Sequence, residues 1–412
     1  MIKLPGLIDP HVHLREPGAT HKEDYDSGTS AALAGGITIV LAMPNTKPPI
    51  FDADTLDLAL NAAKQKAHCD YGQFVGAGPD NADWQNNAST SSRSAGLKMY
   101  LDSTFGELRL DDMTLWQPHF QNWPKNFPIV AHSESRTMAA AILFAAIYDR
   151  PVHIAHISLK EEVLLIKAAK ERGIKVTCEV CPHHLFMTND PLSSPKIGGG
   201  LGGGRKEVRP RLATQSDVDA LWENMDVIDC FATDHAPHTV EEKDSETPPP
   251  GFPGLETILP LLLTAVSESR LTIPDVIQKM YTNPKKIFNL PDQPETWVEV
   301  DENATYEIKA SEQFTRCGWT PFEGWKVKGK VRKVVLRGQI AFEDGKILAP
   351  AGYGRNIRHN LHSTIRNISS ECPYLGVLFR QHIPTARQTV DNSLKTVENC
   401  PCLWTISLFV PI

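Results

Sequence analysis

Leu4-Pro5-Gly6-Leu7-Ile8-Asp9-Pro10-His11-Val12-His13-Leu14-Arg15 is an apolar run that ends on two histidines and an arginine. Extended chain alternates faces, so His11, His13 and Arg15 project from one side of a strand end. Two imidazoles side by side in that position form half of a divalent-metal site. A His-x-His pair also turns up in polar loops, so the reading depends on what recurs downstream.

Matching pieces do recur, each where another apolar strand ends. Gly96-Leu97-Lys98-Met99-Tyr100 carries a lysine inside an apolar run. Pro128-Ile129-Val130-Ala131-His132 and Val152-His153-Ile154-Ala155-His156 each finish on a histidine. The run from Val227 to His235 finishes on Asp234, followed by Ala236-Pro237-His238. The joint order HxH, Lys, His, His, Asp is far more specific than any of its parts, and it predicts a metal centre.

Composition narrows the class. The chain has 412 residues, is 41% hydrophobic and 22% charged, and can bury a large core. Its net charge of -7 argues against a nucleic-acid partner. It has neither an apolar run long enough for a membrane helix nor a signal-peptide pattern, so the cytoplasm is the expected compartment. Eight cysteines spread over this length do not make a disulfide framework. Cys178 and Cys181 form a CxxC beside Glu179, read as strand cysteines with one side chain packed. His183 and His184 lie away from any strand terminus and are read as supporting or structural residues.

Strands are predicted at 4–13, 37–43, 71–77, 95–101, 128–132, 152–157, 174–180 and 227–234. Helices are expected near 22–35, 53–67, 111–123, 134–148, 160–172, 215–225 and 255–269, with a further one over 80–94. Eight strands with intervening helices match a (β/α)8 TIM-like barrel, whose functional groups sit at the C-terminal strand ends. An open doubly wound sheet is the structural rival, but the Gly-rich phosphate turn after strand one is missing. The barrel is assigned to 1–290 and a small β module to 291–358. That module has strands at 297–300, 305–309, 325–336 and 339–348. Residues 359–412 read as a linker or poorly ordered tail, and the glycine run at 198–204 as a surface loop.

The motifs PGLIDPHVHLREPG, MPNTKPPI, GLKMYLDSTFGELRL, CEVCPHHLF, EVRPRL, DCFATDHAPHT and PPPGFPGLETILPLLL cover nearly the whole barrel. Together they resemble the dihydroorotase family, in the cyclic-amide branch of the amidohydrolase superfamily. The nearest likeness is to members fused, in animal multifunctional proteins, to carbamoyl-phosphate synthetase and aspartate transcarbamoylase. The chain starts directly at the first barrel strand, which favours a fused or excised domain. The resemblance implies reversible cyclisation of N-carbamoyl-L-aspartate to L-dihydroorotate plus water, in pyrimidine biosynthesis, by a homodimer.

A cyclic amide is a poor electrophile, so its hydrolysis near neutral pH needs a strong oxygen nucleophile and a Lewis acid on the carbonyl. Two Zn²⁺ about 3.5–4 Å apart would supply both. His11, His13 and Asp234 would serve one ion, and His132 and His156 the other. The resemblance implies that Lys98 carries a CO2-derived carbamate bridging the two, where a free ammonium would repel them. Asp234 is also the expected proton shuttle.

Arg15 is expected to hold the free carboxylate of the substrate, with a structural ion pair to Glu16 or Asp9 as the alternative. By resemblance Asn45 and His238 share that role, Arg209 contacts the ring or orients its loop, and Thr104 and Phe105 belong to a loop that folds over substrate. Close animal relatives lead us to expect cysteine at Ala155, which puts an extra metal there, with Glu179, in doubt. The rival readings are a dihydropyrimidinase or hydantoinase, an allantoinase, or an inactive scaffold barrel. Arg15 speaks against the first, and the complete set of metal donors against the last.

Overall fold

A computed structural model describes residues 1–84, 86–189 and 203–358. The glycine run falls largely, and the 359–412 tail wholly, outside those residues.

In chain order the strands are β1 (Ile2–Pro5), β2 (Leu7–Val12), β3 (Ile37–Ala42), β4 (Asp70–Gln73), β5 (Val75–Gly76), β6 (Leu97–Tyr100) and β7 (Ile129–His132). They continue with β8 (Val152–Ile154), β9 (Val176–Val180), β10 (Cys230–Phe231), β11 (Trp297–Glu307), β12 (Lys326–Leu336), β13 (Gln339–Glu343) and β14 (Lys346–Ile347). β2, β3 and β4 form one parallel sheet, and β5 to β10 form a second in sequential order. Every residue of β2, β3, β6 and β7 is buried, as expected where both faces of a parallel sheet are covered. The helices between them are started by side chains: Asp24 caps Tyr25–Ala34 and Asp52 caps Ala53–Lys66, each through a reciprocal capping box.

Two junctions relate the sheets. β4 runs into β5 across Phe74, whose N–H donates to the Ala42 carbonyl at 2.9 Å. At the other edge Val12 bridges His235 in parallel, and the His13 N–H donates to the His235 carbonyl at 2.7 Å. Register brings the chemistry to one end: Tyr100 pairs with His132, and Ala131 with Ile154, two residues before His156.

The strand predicted over 4–13 is in fact two. β1 pairs antiparallel with β11 and belongs to the sheet β1-β11-β12-β13-β14, while β2 enters the parallel sheet. Gly6 marks the break, because a Cβ there would meet Thr38 Oγ1 at 2.4 Å and a Thr296 methyl at 2.6 Å. β1 therefore shares a sheet with the strands of 291–358, and Met1–Asn360 forms one compact unit. Three other expectations change. Of 80–94 only Ala88–Arg93 is helical; 297–300 and 305–309 merge into β11 across a bulge; and 339–348 is a hairpin. Along 227–234 only β10 has ladder partners, so the end bearing Asp234 is loop. Helical turns at Ile273–Ile277 and Asn283–Ile287 went unread. Among the described residues no helix is long and apolar enough to cross a membrane.

Candidate metal centre and anion pocket

Three candidate residues sit in the left-handed backbone region that L side chains avoid: Arg15 (φ 59°), His156 (φ 36°) and Asp234 (φ 45°). Each lies just past a strand, where the turn swings its side chain over the sheet end. Such conformations cost about 1–3 kcal/mol each and persist only when the surroundings enforce them.

The donor set converges. His13 Nε2 lies 2.9 Å and His11 Nε2 3.2 Å from the same oxygen, Asp234 Oδ1. The His11 ring centroid is 5.4 Å from that of His13 and 5.2 Å from that of His156. His132 Nδ1 lies 2.8 Å from His156 Nε2, which leaves His132 Nε2 and His156 Nδ1 buried without a partner. Lys98 is wholly buried, with Nζ 3.4 Å from His11 Nε2 and, among the described residues, no carboxylate within ion-pair distance.

Burial sets the charge states. It pulls His13 down to about 4 and His132 down to about 3, and holds His156 well below the imidazole range. These are neutral imidazoles, the form that ligates divalent metals. Burial also lowers Lys98 to about 8, bringing the neutral amine within reach near physiological pH. Burial alone would raise Asp234, but the His11 and His13 rings beside it outweigh burial, so the carboxylate stays ionised.

Each of the two paired histidines is braced from behind. His11 Nδ1 lies 2.5 Å from Glu179 Oε1, and the other carboxylate oxygen sits 3.1 Å from His153 Nε2. Burial would raise Glu179 too, but the His11 ring beside it and the hydrogen bonds from His11 and His153 hold it below the carboxylate range. His13 Nδ1–H donates to Asn45 Oδ1 at 2.7 Å. Bracing of this kind fixes the tautomer and aims Nε2 at the centre.

A small cavity opens over these donors. Besides the histidines and Asp234 it is lined by Arg15, Asn45, Tyr100, Thr104, Phe105 and Arg209. Arg15 is 3% exposed and has no ion pair among the described residues: its Nε donates to the Pro237 carbonyl at 3.1 Å, and its guanidinium lies 5.3 Å from the Phe105 ring centre. Glu16 pairs instead with Lys66, and Asp9 with the Thr233 hydroxyl. Burial lowers Arg15 only to about 10, so the cation persists.

Two residues make contacts that no local sequence pattern foretells. His238 is fully buried behind Arg15 and lines no part of the cavity. Lys22 Nζ donates to its Nδ1 at 3.1 Å, its Nε2 faces the Pro250 carbonyl at 3.1 Å, and Arg15 Nη2 is 3.0 Å away. Asn45 spends its carbonyl on His13 and donates from Nδ2 to the Phe105 carbonyl at 2.9 Å, joining the donor set to the Phe105 loop. Arg209 Nη1 bonds Glu207 Oε2 at 2.9 Å while lining the cavity. Sequence reasoning missed Lys22 and Tyr100 altogether and gave Glu179 only a doubtful metal role. A carboxylate inside the buried strand CEV was the available signal for Glu179.

The described donors fit a pair of divalent ions: buried neutral imidazoles, two of their nitrogens without partners, an ionised aspartate shared by two histidines, and a buried lysine without a counter-charge.

Comparison with known proteins agrees with that chemistry. Residues 2–188 match the Amidohydrolase family. The chain is 58% identical to "Multifunctional protein CAD" of Squalus acanthias over 358 residues, 87% of this chain but only 16% of that protein. It spans about one sixth of that relative's length. It is 36% identical to "Dihydroorotase" of Pyrococcus furiosus over 380 residues, covering 89% of this chain and 87% of that one. Among solved structures it superposes on the "Inactive dihydroorotase-like domain of Chaetomium thermophilum CAD-like multifunctional protein" with a TM-score of 0.72. The identity is 29%, over 86% of this chain and 99% of the other. That neighbour has the fold and is inactive, so the fold alone does not carry an activity. With a full-length relative matched almost end to end, this chain belongs to the dihydroorotase family of amidohydrolases.

Proposed function

We propose that the chain catalyses reversible cyclisation of N-carbamoyl-L-aspartate to L-dihydroorotate plus water, the dihydroorotase step of pyrimidine biosynthesis. The observation that carries this reading is Arg15. A buried guanidinium with no carboxylate in ion-pair distance among the described residues, at the rim of a metal-donor cluster, suits a ring that bears a free carboxylate. Dihydropyrimidinase and hydantoinase substrates have no such group.

In this reading β2 to β10, with β4 and β5 counted as one strand broken at Phe74, close as a (β/α)8 barrel, supported by the Phe74 junction and the Val12–His235 bridge. His11, His13 and Asp234 would hold one Zn²⁺, His132 and His156 the other, and a carbamate on Lys98 would span both. When bound, the ions supply Lewis acidity at the carbonyl and an activated water.

The chain's own residues do the rest. Arg15 receives the carboxylate and sets the ring's orientation, while Thr104 and Phe105 cover it and exclude water. Arg209 lines the cavity as well. Asp234 takes the proton from the attacking water and returns it to the departing ring nitrogen; in the biosynthetic direction these transfers reverse. The same reading makes the chain a cytoplasmic homodimer, fused to or assembled with carbamoyl-phosphate synthetase and aspartate transcarbamoylase.

The test is ring opening of dihydroorotate against dihydrouracil by the metal-loaded chain. Turnover of dihydroorotate with little or none of dihydrouracil supports the proposal. The reverse preference makes it a dihydropyrimidinase, and no turnover of either makes it a scaffold.

A further inference from the structure

A second cluster of metal-binding side chains lies where β9 gives way to the short helix Pro182–Phe186. Cys181, His183 and His184 are all buried, and one donor atom from each lies within 4.8 Å of the other two. None of the three lines the cavity over the first donor set.

Hydrogen bonding leaves the right atoms over. His184 Nε2–H donates to the Pro210 carbonyl at 3.1 Å, which places the proton on Nε2 and leaves Nδ1 with a lone pair. That Nδ1 is buried without a partner, and so is His183 Nε2. Buried imidazole nitrogens are almost always satisfied, and two unsatisfied ones on adjacent residues call for an explanation. The His183 and His184 ring centroids are 4.3 Å apart, tilted by 59°, so the rings are not simply stacked. The surroundings are dry: the Phe252 ring meets His183 edge-on at 5.3 Å, and Met187, Val208 and Leu212 pack around Phe252. Cys178, the other half of the CxxC, turns away, with its Sγ 3.6 Å from the Val227 carbonyl.

We propose that Cys181, His183 and His184 form a separate zinc site with one thiolate and two imidazole ligands. A thiolate and two neutral imidazoles are a donor set that Zn²⁺ favours, with one position left for water. Through the His184–Pro210 bond such an ion would tie the end of β9 to the segment that carries Arg209. The site is independent of the binuclear reading, because it shares no ligand with it.

That independence makes it testable by spectroscopy. The expected binuclear ligands offer only nitrogen and oxygen, so a thiolate-to-metal charge-transfer band can come only from a cysteine ligand. The metal-depleted full chain would be titrated with Co²⁺ in the absence of oxygen. The expected result is a near-ultraviolet thiolate-to-cobalt band that saturates at one ion per chain. It should be lost in Cys181→Ser and retained in Cys178→Ser. It should also survive Lys98→Ala, so collapse of the binuclear reading would leave it standing. No band at saturating Co²⁺, or a band undiminished in Cys181→Ser, overturns the proposal. Should Cys181→Ser fail to fold, X-ray absorption of the zinc-loaded wild type decides. A sulfur shell at about 2.3 Å is expected, and a shell of nitrogen and oxygen alone contradicts the site.

Discussion

The floor and the rim of the cavity are built in different ways. On the floor, His11, His13, Lys98 and His132 stand in or directly after fully buried strands, and Glu179 and Asn45 lock the first two from behind. On the rim, Arg15, Thr104, Phe105 and Arg209 come from loops and are held by backbone carbonyls, ring contacts and local ion pairs. Rigid strands suit a metal centre, which demands sub-ångström placement. Loops suit the choice of substrate, because they can change without disturbing the donors. Floor substitutions should therefore abolish chemistry, whereas rim substitutions should change binding and selectivity.

The largest effect is expected at Lys98. In the proposed reading Lys98→Ala removes the group that would span both ions, so bound metal and activity should vanish together. Elemental analysis alongside turnover checks this, and two retained metals with full activity would remove Lys98 from the centre. Next comes Asp234→Asn, which keeps the shape but cannot accept a proton. Turnover should fall at least about a hundredfold. A near-normal rate would show that another group moves the proton.

Glu179→Gln probes the bracing. It should weaken metal affinity by about 10–100-fold, read by competition with a chelator, while saturating metal restores most activity. Unchanged affinity would reduce Glu179 to a packing residue. On the rim, Arg15→Ala should cost about 1.5–3 kcal/mol of binding to dihydroorotate, the worth of a charge-assisted hydrogen bond, with metal content intact. Loss of metal in that variant would erase the division between floor and rim.

The same contrast explains what could be read from sequence. The candidate donors stood out in the sequence because each falls in or just after an apolar run, and the pairing of those strands brings them to one end. Gly6 hid the split of the first strand, because only its partners, Thr38 and Thr296, reveal that a side chain would not fit. Asn45 and His238 were assigned to substrate by resemblance. The bonds that join Asn45 to His13 and His238 to Arg15 span 32 and 223 residues in sequence, which no local pattern records. Lys22 gave no signal, since a lysine before a capped helix looks like an ordinary surface cation. Its burial comes from Glu242 at 2.9 Å and from His238.

The most direct test of the central claim is the ratio of kcat/KM for dihydroorotate to that for dihydrouracil, measured in wild type and in Arg15→Ala with equal metal content. If Arg15 reads the carboxylate, the wild-type ratio is large. In the variant it collapses because dihydroorotate alone loses, by about ten- to a hundredfold. A wild-type preference for dihydrouracil, or equal losses for both substrates, would contradict a dihydroorotase whose specificity resides at that arginine.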